Sequence, residues 1–520
     1  MKNIQFKLDL NQQATVLDHY WELCVGSCHA ATALRADWQE QMRKCHQELG
    51  FQYVRFHGLF NDDMNVVQKP IPLPGVPLRL CFTYIDVIYD FLLSIGMKPF
   101  VELGFMPEVL ASGTKTLFHY KANTTPPKDY AQWGWFIGEF VKHLLDRYGR
   151  DEVRSWFFEV WNEPNLGGAE SPAAFWSGSK EEYFHLYEIT AKALKAQDSG
   201  LKVGGPATSN NAWLSDFICF CETNRVPLDF ISTHAYPTDV EVGYGVEDSA
   251  TFSNPLQKMN DPAQRMEIMS NPQKMMEFFQ EMSIYNSQIW KVVDRGVLTD
   301  FAKKARKEVG DYPLYYTEWG SLSGIESDGP FGASFIPKTI LDNVGLVQGY
   351  SIWTFSDIFE EQGQQANAFH GGFGLMTQHG IPKAPYRAFQ LLKQLGNKIY
   401  PTMNQGTLDV YPAYKEQTNV LQLMLVNHNS LLHEIEDAQV TIELPETMCV
   451  KYADIQRVDA THANALATWE SMGKPEYLSA SQKATLQASS ELVRERLSVN
   501  NHYVELLVPA QGVALVNLYL

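Results

Sequence analysis

The chain lacks any apolar run long enough to cross the hydrocarbon core of a bilayer. Its first residues, MKNIQFKLDLNQQ, also lack the apolar stretch of a secretory signal. Positive charge is in short supply: 42 Lys and Arg stand against 60 Asp and Glu, a formal net charge of −18. A chain of this sign has no general cationic face for nucleic acid or an anionic membrane, so neither is expected as a partner. A neutral substrate fits the charge, although a solvated acidic surface would give the same balance. Cysteine is limited to Cys24, Cys28, Cys45, Cys81, Cys219, Cys221 and Cys449, seven residues at irregular spacings with no Cys-x-x-Cys pair. That excludes a zinc knuckle or a dithiol redox motif. The thiols read as small apolar core residues, which points to a reducing cytoplasm.

What is present is an ordinary globular composition, 45% hydrophobic and 20% charged over 520 residues. That length suits one large domain with a smaller companion. From about Val25 to Phe355, short apolar runs alternate with longer amphipathic segments, the pattern of a parallel sheet covered on both faces. Eight strand ends are predicted, at VGSC (25–28), YVRFHG (53–58), PFVELGF (99–105), WFFEVWNEP (156–164), KVGGPA (202–207), DFISTHAYP (229–237), LYYTEWG (314–320) and SIWTFSD (351–357). Between them, TYIDVIYDFLLSIG (83–96) and DYAQWGWFIGEFVKHLLDRYG (129–149) repeat apolar residues at helical spacing and stop at glycine. Eight such units predict an α/β fold of the (β/α)8 TIM-barrel type, whose active site lies at the carboxyl ends of the strands. The predicted barrel spans 14–398, with a helical insertion at about 243–308 between the sixth and seventh strands. In that insertion SNPLQKM (253–259) and SNPQKMM (270–276) each offer an N-cap followed by a first-turn proline. Its Met275, Phe278, Phe279 and Met282 suggest an apolar stripe that must bury itself against the barrel's own helices, over the pocket or on a second subunit. Beyond the barrel, period-two alternation at 420–428, 438–445 and 502–520 predicts an accessory antiparallel β-sandwich. It is assigned 399–520 together with 1–13, because IQFKLDL (4–10) alternates as well.

Chemically loaded residues collect at the predicted strand ends. Hydrolysis of a glycosidic bond needs two carboxyl groups that lie far apart in sequence and converge in space. Glu163 in EVWNEPN and Glu318 in YYTEWG sit at the ends of the fourth and seventh predicted strands. A lone strand-end glutamate is more often structural, but Asn-Glu-Pro after an apolar strand is a specific signal. Asn162 is placed to bond a sugar 2-hydroxyl. Burial and the neighbouring Glu318 are expected to raise the pKa of Glu163. Tyr236 is expected to donate to Glu318 and keep it ionised. His57 and His234 offer bonds to sugar hydroxyls. Trp161, Trp319, Trp353 and Phe118 could pack on a sugar face or serve as core walls.

Over nearly its whole length the chain resembles glycoside hydrolase family 39, the β-xylosidase family of (β/α)8 retaining glycosidases. The likeness rests on WELCVGSCHA (21–30), YVRFHG, SIGMKPFVELGFMP (94–107), FHYKANTTPPKDY (118–130), EVWNEPN, KVGGPA, STHAYPTD (232–239), WTFSDIFEEQG (353–363) and FHGGFGL (369–375). The resemblance implies Glu163 as acid/base and Glu318 as nucleophile. It implies a substrate site lined by His57, Asn162, His234, Tyr236 and Glu360, with Trp353 and Phe118 near it. It implies no metal and no organic cofactor. In TEWGSLSG (317–324), Gly320 and Ser323 depart from the family's asparagine and tyrosine. The expected activity is exo-acting β-xylosidase on short xylo-oligosaccharides. The alternatives are β-glucosidase, β-galactosidase, α-L-arabinosidase, an iduronidase-like enzyme, or a catalytically silent sugar-binding protein. An iduronidase would need a cation for its substrate's carboxylate, and Arg55 is expected to point into the barrel instead. Assembly into a homo-oligomer is left open.

Overall fold

The computed structural model describes residues 1–68, 78–166, 171, 174–242, 255, 257–361, 363–500 and 502–520. Eight parallel strands close into a barrel: β1 (Cys24–His29), β2 (Tyr53–His57), β3 (Lys98–Leu103), β4 (Phe157–Val160), β5 (Lys202–Thr208), β6 (Phe230–Ala235), β7 (Leu314–Trp319) and β8 (Gly349–Ile352). Each pairs with its neighbours in sequence, and β8 closes onto β1. These are the eight segments predicted. They are buried on both faces because a helix covers the outer one. The covering helices are α1 (Ala36–Leu49), α2 (Thr83–Ser94), α3 (Tyr130–Tyr148), α4 (Lys180–Gln197), α5 (Leu214–Asn224), α6 (Val297–Val309), α7 (Pro330–Asp342) and α8 (Ala384–Lys393). Their starts are chemically marked. Asp129 accepts from the N–H groups of Ala131 and Gln132, and Ser179 forms a reciprocal capping box with Glu182.

The insertion between β6 and β7 is helical where it is described, with helices at Pro262–Ser270 and Pro272–Val292. Asn271 caps the second through the N–H groups of Gln273 and Lys274. Ser253, Asn254 and Leu256 of the 253–259 cap motif lie outside the described residues. The buried stripe of the longer helix is Phe278, Tyr285, Ile289 and Trp290, whereas Phe279 points outward. Trp290 packs edge-on against Phe331 of α7 at 5.9 Å. The helix also leans on the turn Pro237–Val242, which follows Tyr236 at the carboxyl end of β6. The stripe is thus partly absorbed by the barrel's own covering helix.

The carboxyl-terminal part holds β9 (Leu408–Lys415), β10 (Val420–Asn427), β11 (Ala438–Glu443), β12 (Tyr452–Val458), β13 (Tyr503–Val508) and β14 (Val513–Tyr519). An antiparallel sheet with β9, β10, β14 and β12 in that order faces a smaller one built on β11 and β13. The two share a core of Leu421, Leu423, Val440, Ile442, Leu506 and Val516. The strand Lys2–Lys7 joins the smaller sheet alongside β11, but parallel to it. Between β12 and β13 stand helices Ala465–Ser471 and Ala480–Ser489, which strand periodicity did not predict. The sandwich docks on α7 and on the turn before α6 through polar contacts: Asp409 takes Arg295 of that turn and lies 3.6 Å from Lys338 of α7, and His428 Nδ1 meets Ser334 Oγ of α7 at 2.8 Å.

Candidate active site

Side chains two apart on a barrel strand share the interior. At the amino end that interior is an aromatic plug, with Phe100 stacked on Phe157 at 5.0 Å and Phe230 edge-on to Phe157 at 5.5 Å. Two residues further along, β2, β3 and β4 contribute Arg55, Glu102 and Glu159, all fully buried. Arg55 Nε donates to Glu159 Oε2 at 2.5 Å, Nη1 to Glu318 Oε1 at 2.8 Å and Nη2 to Asn162 Oδ1 at 2.8 Å. Nη2 also lies 3.0 Å from Glu102 Oε2. Arg55 does point into the barrel, and there it carries the counter-charge of the whole site. Buried carboxylates are tolerated only when paired, so this hub is what permits several of them together.

The two expected glutamates reach this layer by different local devices. On β4 the regular strand ends at Val160, and Trp161 and Glu163 adopt φ of 72° and 42°. Such left-handed backbone on non-glycine residues costs on the order of 1–3 kcal/mol each. The Glu163 N–H donates to Ala207 O of β5 at 2.8 Å, which helps hold the turn. On β7 the register against β6 slips: Thr233 pairs with Tyr316, but His234 pairs with Glu318. The extra residue is a bulge, and it lets both Thr317 and Glu318 reach the interior where strict alternation would turn one of them away.

The result is a compact polar constellation. One oxygen of Glu163, one oxygen of Glu318 and a ring nitrogen of His234 all lie within 4.8 Å of one another. His234 Nδ1 is 2.9 Å from Glu163 Oε1 and 3.7 Å from Glu318 Oε2. Tyr236 Oη donates to Glu318 Oε2 at 3.2 Å. His57 Nδ1 meets Glu102 Oε2 at 2.7 Å, and its Nε2 faces Glu318 Oε1 at 3.5 Å. Asn162 Nδ2 is buried and makes no hydrogen bond among the described residues, so it is a donor free to meet a ligand. Two carboxylates and an imidazole could in principle ligate a cation. However, Arg55 is fixed 2.8 Å from Glu318, so its positive charge opposes a second cation there.

Electrostatics shift several groups of the site. Burial raises Glu163 to about 7; Arg55 and Ser209 oppose the shift and Glu102 adds to it. The like-charge contribution thus comes from Glu102, where the sequence suggested Glu318. Burial lowers His57 to about 3, so its imidazole is neutral. Burial likewise lowers His234. Against burial, Arg55 holds Glu159 below the usual carboxylate range. Burial and then the Glu318 charge push the Tyr236 phenol well up, so it remains a donor.

The remaining expected residues divide. Trp353 is buried, with its ring 4.6 Å from that of His57 and 5.9 Å from Arg55 Cζ. Gly26 makes room for it, since a Cβ there would lie 2.4 Å from the indole. Phe118 is half-buried and meets Phe175 at 5.6 Å, which in turn packs 6.4 Å from His57. Trp161 and Trp319 are fully buried. They pack on Trp176 and Tyr350 as core walls, not as sugar faces. Glu360 bonds Arg35 at 3.3 Å and accepts from Gln364. Its neighbour Glu361 is the one that faces the carboxylates: Oε1 is buried, 3.7 Å from His57 Nε2, with no hydrogen bond among the described residues. Burial first, then Glu318 and Glu163, push the Glu361 carboxyl well above its usual range. Glu102, Glu159, Thr317 and Glu361 complete the site beyond the residues singled out in the sequence, around Arg55, which was expected only to point into the barrel. The charged ones on β2, β3 and β4 could have been found by stepping two residues on from the inner aromatics Tyr53, Phe100 and Phe157.

A cavity of about 400 Å³ opens beside the site, lined in part by Gly320, Ser321, Trp353, Phe359, His370 and Phe373. Its far wall, His370–Leu375, is pinned by a buried ion triad. Lys383 lies 2.6 Å from both Asp328 and Asp357, and these accept from the N–H groups of His370, Gly371 and Gly374. Ser323 belongs to a hydroxyl cluster with Ser321 and Ser327 on the near side.

Comparison with known proteins gives the family. The model of glycosyl hydrolases family 39 matches residues 4–292 and 279–502. A β-xylosidase of Caldicellulosiruptor saccharolyticus is 44% identical over 513 residues, which covers 97% of this chain and 95% of that one. A β-xylosidase of Geobacillus stearothermophilus is 34% identical over 90% of this chain and 86% of its own. The solved structure of a family 39 β-xylosidase from Caulobacter crescentus superposes with a TM-score of 0.76 at 30% identity, covering all of both chains. The chain belongs to glycosyl hydrolase family 39.

Proposed function

We propose that this glycoside hydrolase is a retaining exo-β-xylosidase that releases xylose from the non-reducing end of short xylo-oligosaccharides. Glu318 is its nucleophile and Glu163 its acid/base. The observation that carries the mechanism is the approach of the two carboxylates, with one oxygen of each within 4.8 Å. Retaining enzymes keep their carboxyls about 5–5.5 Å apart, whereas inverting ones leave about 6.5–9.5 Å for a water. In the first step Glu318, which accepts hydrogen bonds from Arg55 and Tyr236, attacks the anomeric carbon. Glu163 gives its proton to the departing oxygen. In the second step Glu163, now a carboxylate, takes a proton from water, which displaces Glu318 from the sugar. Asn162 Nδ2 is the donor for the 2-hydroxyl, and His57 and Glu361 face the outer hydroxyls over Trp353.

The sugar preference is supported by the β-xylosidases to which the chain is similar along most of its length. Seven free cysteines, with Cys24, Cys28, Cys45 and Cys221 buried, support a reducing, cytoplasmic setting. Such a setting suits imported oligomers better than polymeric xylan. Among the described residues no helix is long and apolar enough to cross a membrane. A panel of aryl β-D-xylosides, glucosides, galactosides and α-L-arabinosides tests the sugar preference. The highest kcat/KM should fall on the xyloside, and a preference for the glucoside would overturn it.

A further inference from the structure

The hydrogen bonds around His234 fix more than its position. Thr317 Oγ1 lies 2.7 Å from Glu159 Oε1 and 3.1 Å from His234 Nε2. A threonine hydroxyl has one proton to give. Glu159 is fully buried, bonded at its other oxygen by Arg55 Nε at 2.5 Å, and held ionised by that guanidinium. An ionised carboxylate only accepts, so the Thr317 proton points to Glu159. Its oxygen is then left as acceptor for His234, which requires the imidazole to carry hydrogen on Nε2. In a neutral ring Nδ1 is therefore a bare lone pair, and it faces Glu163 Oε1 at 2.9 Å. Two acceptors at that distance repel unless a proton lies between them.

We propose that Thr317 is a positioning residue: by fixing the His234 tautomer through Glu159, it makes Nδ1 an acceptor that keeps Glu163 protonated in the free enzyme. This rests on the assignment of Glu163 as acid/base. The chain runs Arg55, Glu159, Thr317, His234, Glu163, each member on a barrel strand or immediately after one. The proton rests on Glu163 Oε1 against Nδ1. Rotation of the carboxyl about its last torsion, which is broad and two-fold, presents it to the leaving oxygen. The proton that leaves with the aglycone is replaced from the water that resolves the glycosyl-enzyme, so the chain itself ends unchanged. The other charged or titratable groups facing the pair are Glu318 and Tyr236 from β7 and just after β6, Glu102 from β3, His57 and Arg55 from β2, and Glu361 from beyond β8. All are retained in the variants below, so a change in the titration isolates the Thr317 link.

The test compares Thr317→Val with Thr317→Ser. Valine keeps the shape and removes the acceptor for Nε2–H. The ring can then turn over to its Nδ1–H tautomer, donate to Glu163 and favour its carboxylate. The basic limb of kcat/KM for a poor leaving group should move to lower pH by roughly one unit, and the serine variant should keep the wild-type limb. In parallel, 15N NMR of His234 should show the Nε2–H tautomer in the wild type and in the serine variant, and Nδ1–H in the valine variant. An unmoved limb in Thr317→Val, an equal shift in Thr317→Ser, or an Nδ1–H tautomer in the wild type would each overturn the proposal. The wild-type spectrum decides it even if Thr317→Val does not fold. It also does so if no glycoside is turned over, an outcome that would defeat the functional reading instead.

Discussion

Removal of the Glu163 carboxyl, as in Glu163→Ala and Glu163→Gln, bears on rate and stability with signs that follow from one pKa. With Glu163 at about 7, about 90% of the free enzyme holds the acid proton at pH 6 and about 10% at pH 8. Wild-type kcat/KM should therefore fall tenfold per pH unit above about 7, and both variants should lose that limb. General-acid assistance is worth about 10²–10⁴ in rate, or about 3–5 kcal/mol. That full loss should appear on xylobiose or an alkyl xyloside, whose leaving oxygen needs the proton. A dinitrophenyl xyloside needs little protonation, so its first step should be nearly unaffected. Azide should accelerate its turnover in Glu163→Ala and yield the β-glycosyl azide. The same shift predicts stability. The folded pKa is above the unfolded value of 4.5, so the folded state binds more protons in between and stability falls as pH rises from about 4.5 to about 7. Above pH 7 the buried charge costs up to about 3 kcal/mol. Glu163→Gln should then melt higher than wild type at pH 8, with the gain shrinking toward pH 5. Equal rate losses on all leaving groups without azide rescue, or a melting difference that grows on acidification, would refute the reasoning.

Glu361→Ala should lower kcat/KM for aryl xylosides by 10-fold or more, roughly the value of a lost sugar contact, while Glu360→Ala should change it by less than about threefold. Steady-state kinetics of the pair decides which of the two faces the sugar. Lys383→Met leaves Asp328 and Asp357 facing each other without their cation and should cost about 3–5 kcal/mol of stability, read as a lowered melting temperature. Because those aspartates pin His370–Leu375, the surviving enzyme should show a raised KM for xylotriose and a smaller change for an aryl xyloside.

The barrel was legible because each strand is an apolar run ended by a polar, chemically loaded residue, and each helix carries its own period. Glu163 was legible because Asn-Glu-Pro after such a run is distinctive. The choice between Glu360 and Glu361 was not, since β8 ends at Ile352 and no period governs the irregular backbone beyond it. The Thr317 bulge was hidden for a similar reason: one inserted residue leaves YYTEWG looking like regular alternation. The hub at Arg55 was seen as a residue but not as a partner of four groups, because its partners come from three other strands. Pairing of Lys2–Lys7 parallel to β11 is likewise a long-range choice that local alternation does not encode. The helices at 465–489 are short and only partly amphipathic, which leaves them without a strong periodic signature.

The most direct test of the double-displacement account is to trap its intermediate. An activated 2-deoxy-2-fluoro-β-D-xyloside should inactivate the enzyme with one label per chain, and peptide mapping should place it on Glu318. In the same preparation, uninhibited enzyme should release β-xylose as the first product seen by proton NMR, before mutarotation. A label on Glu163, Glu361 or elsewhere, or α-xylose as the first product, would contradict the assignment of Glu318 as nucleophile and Glu163 as acid/base.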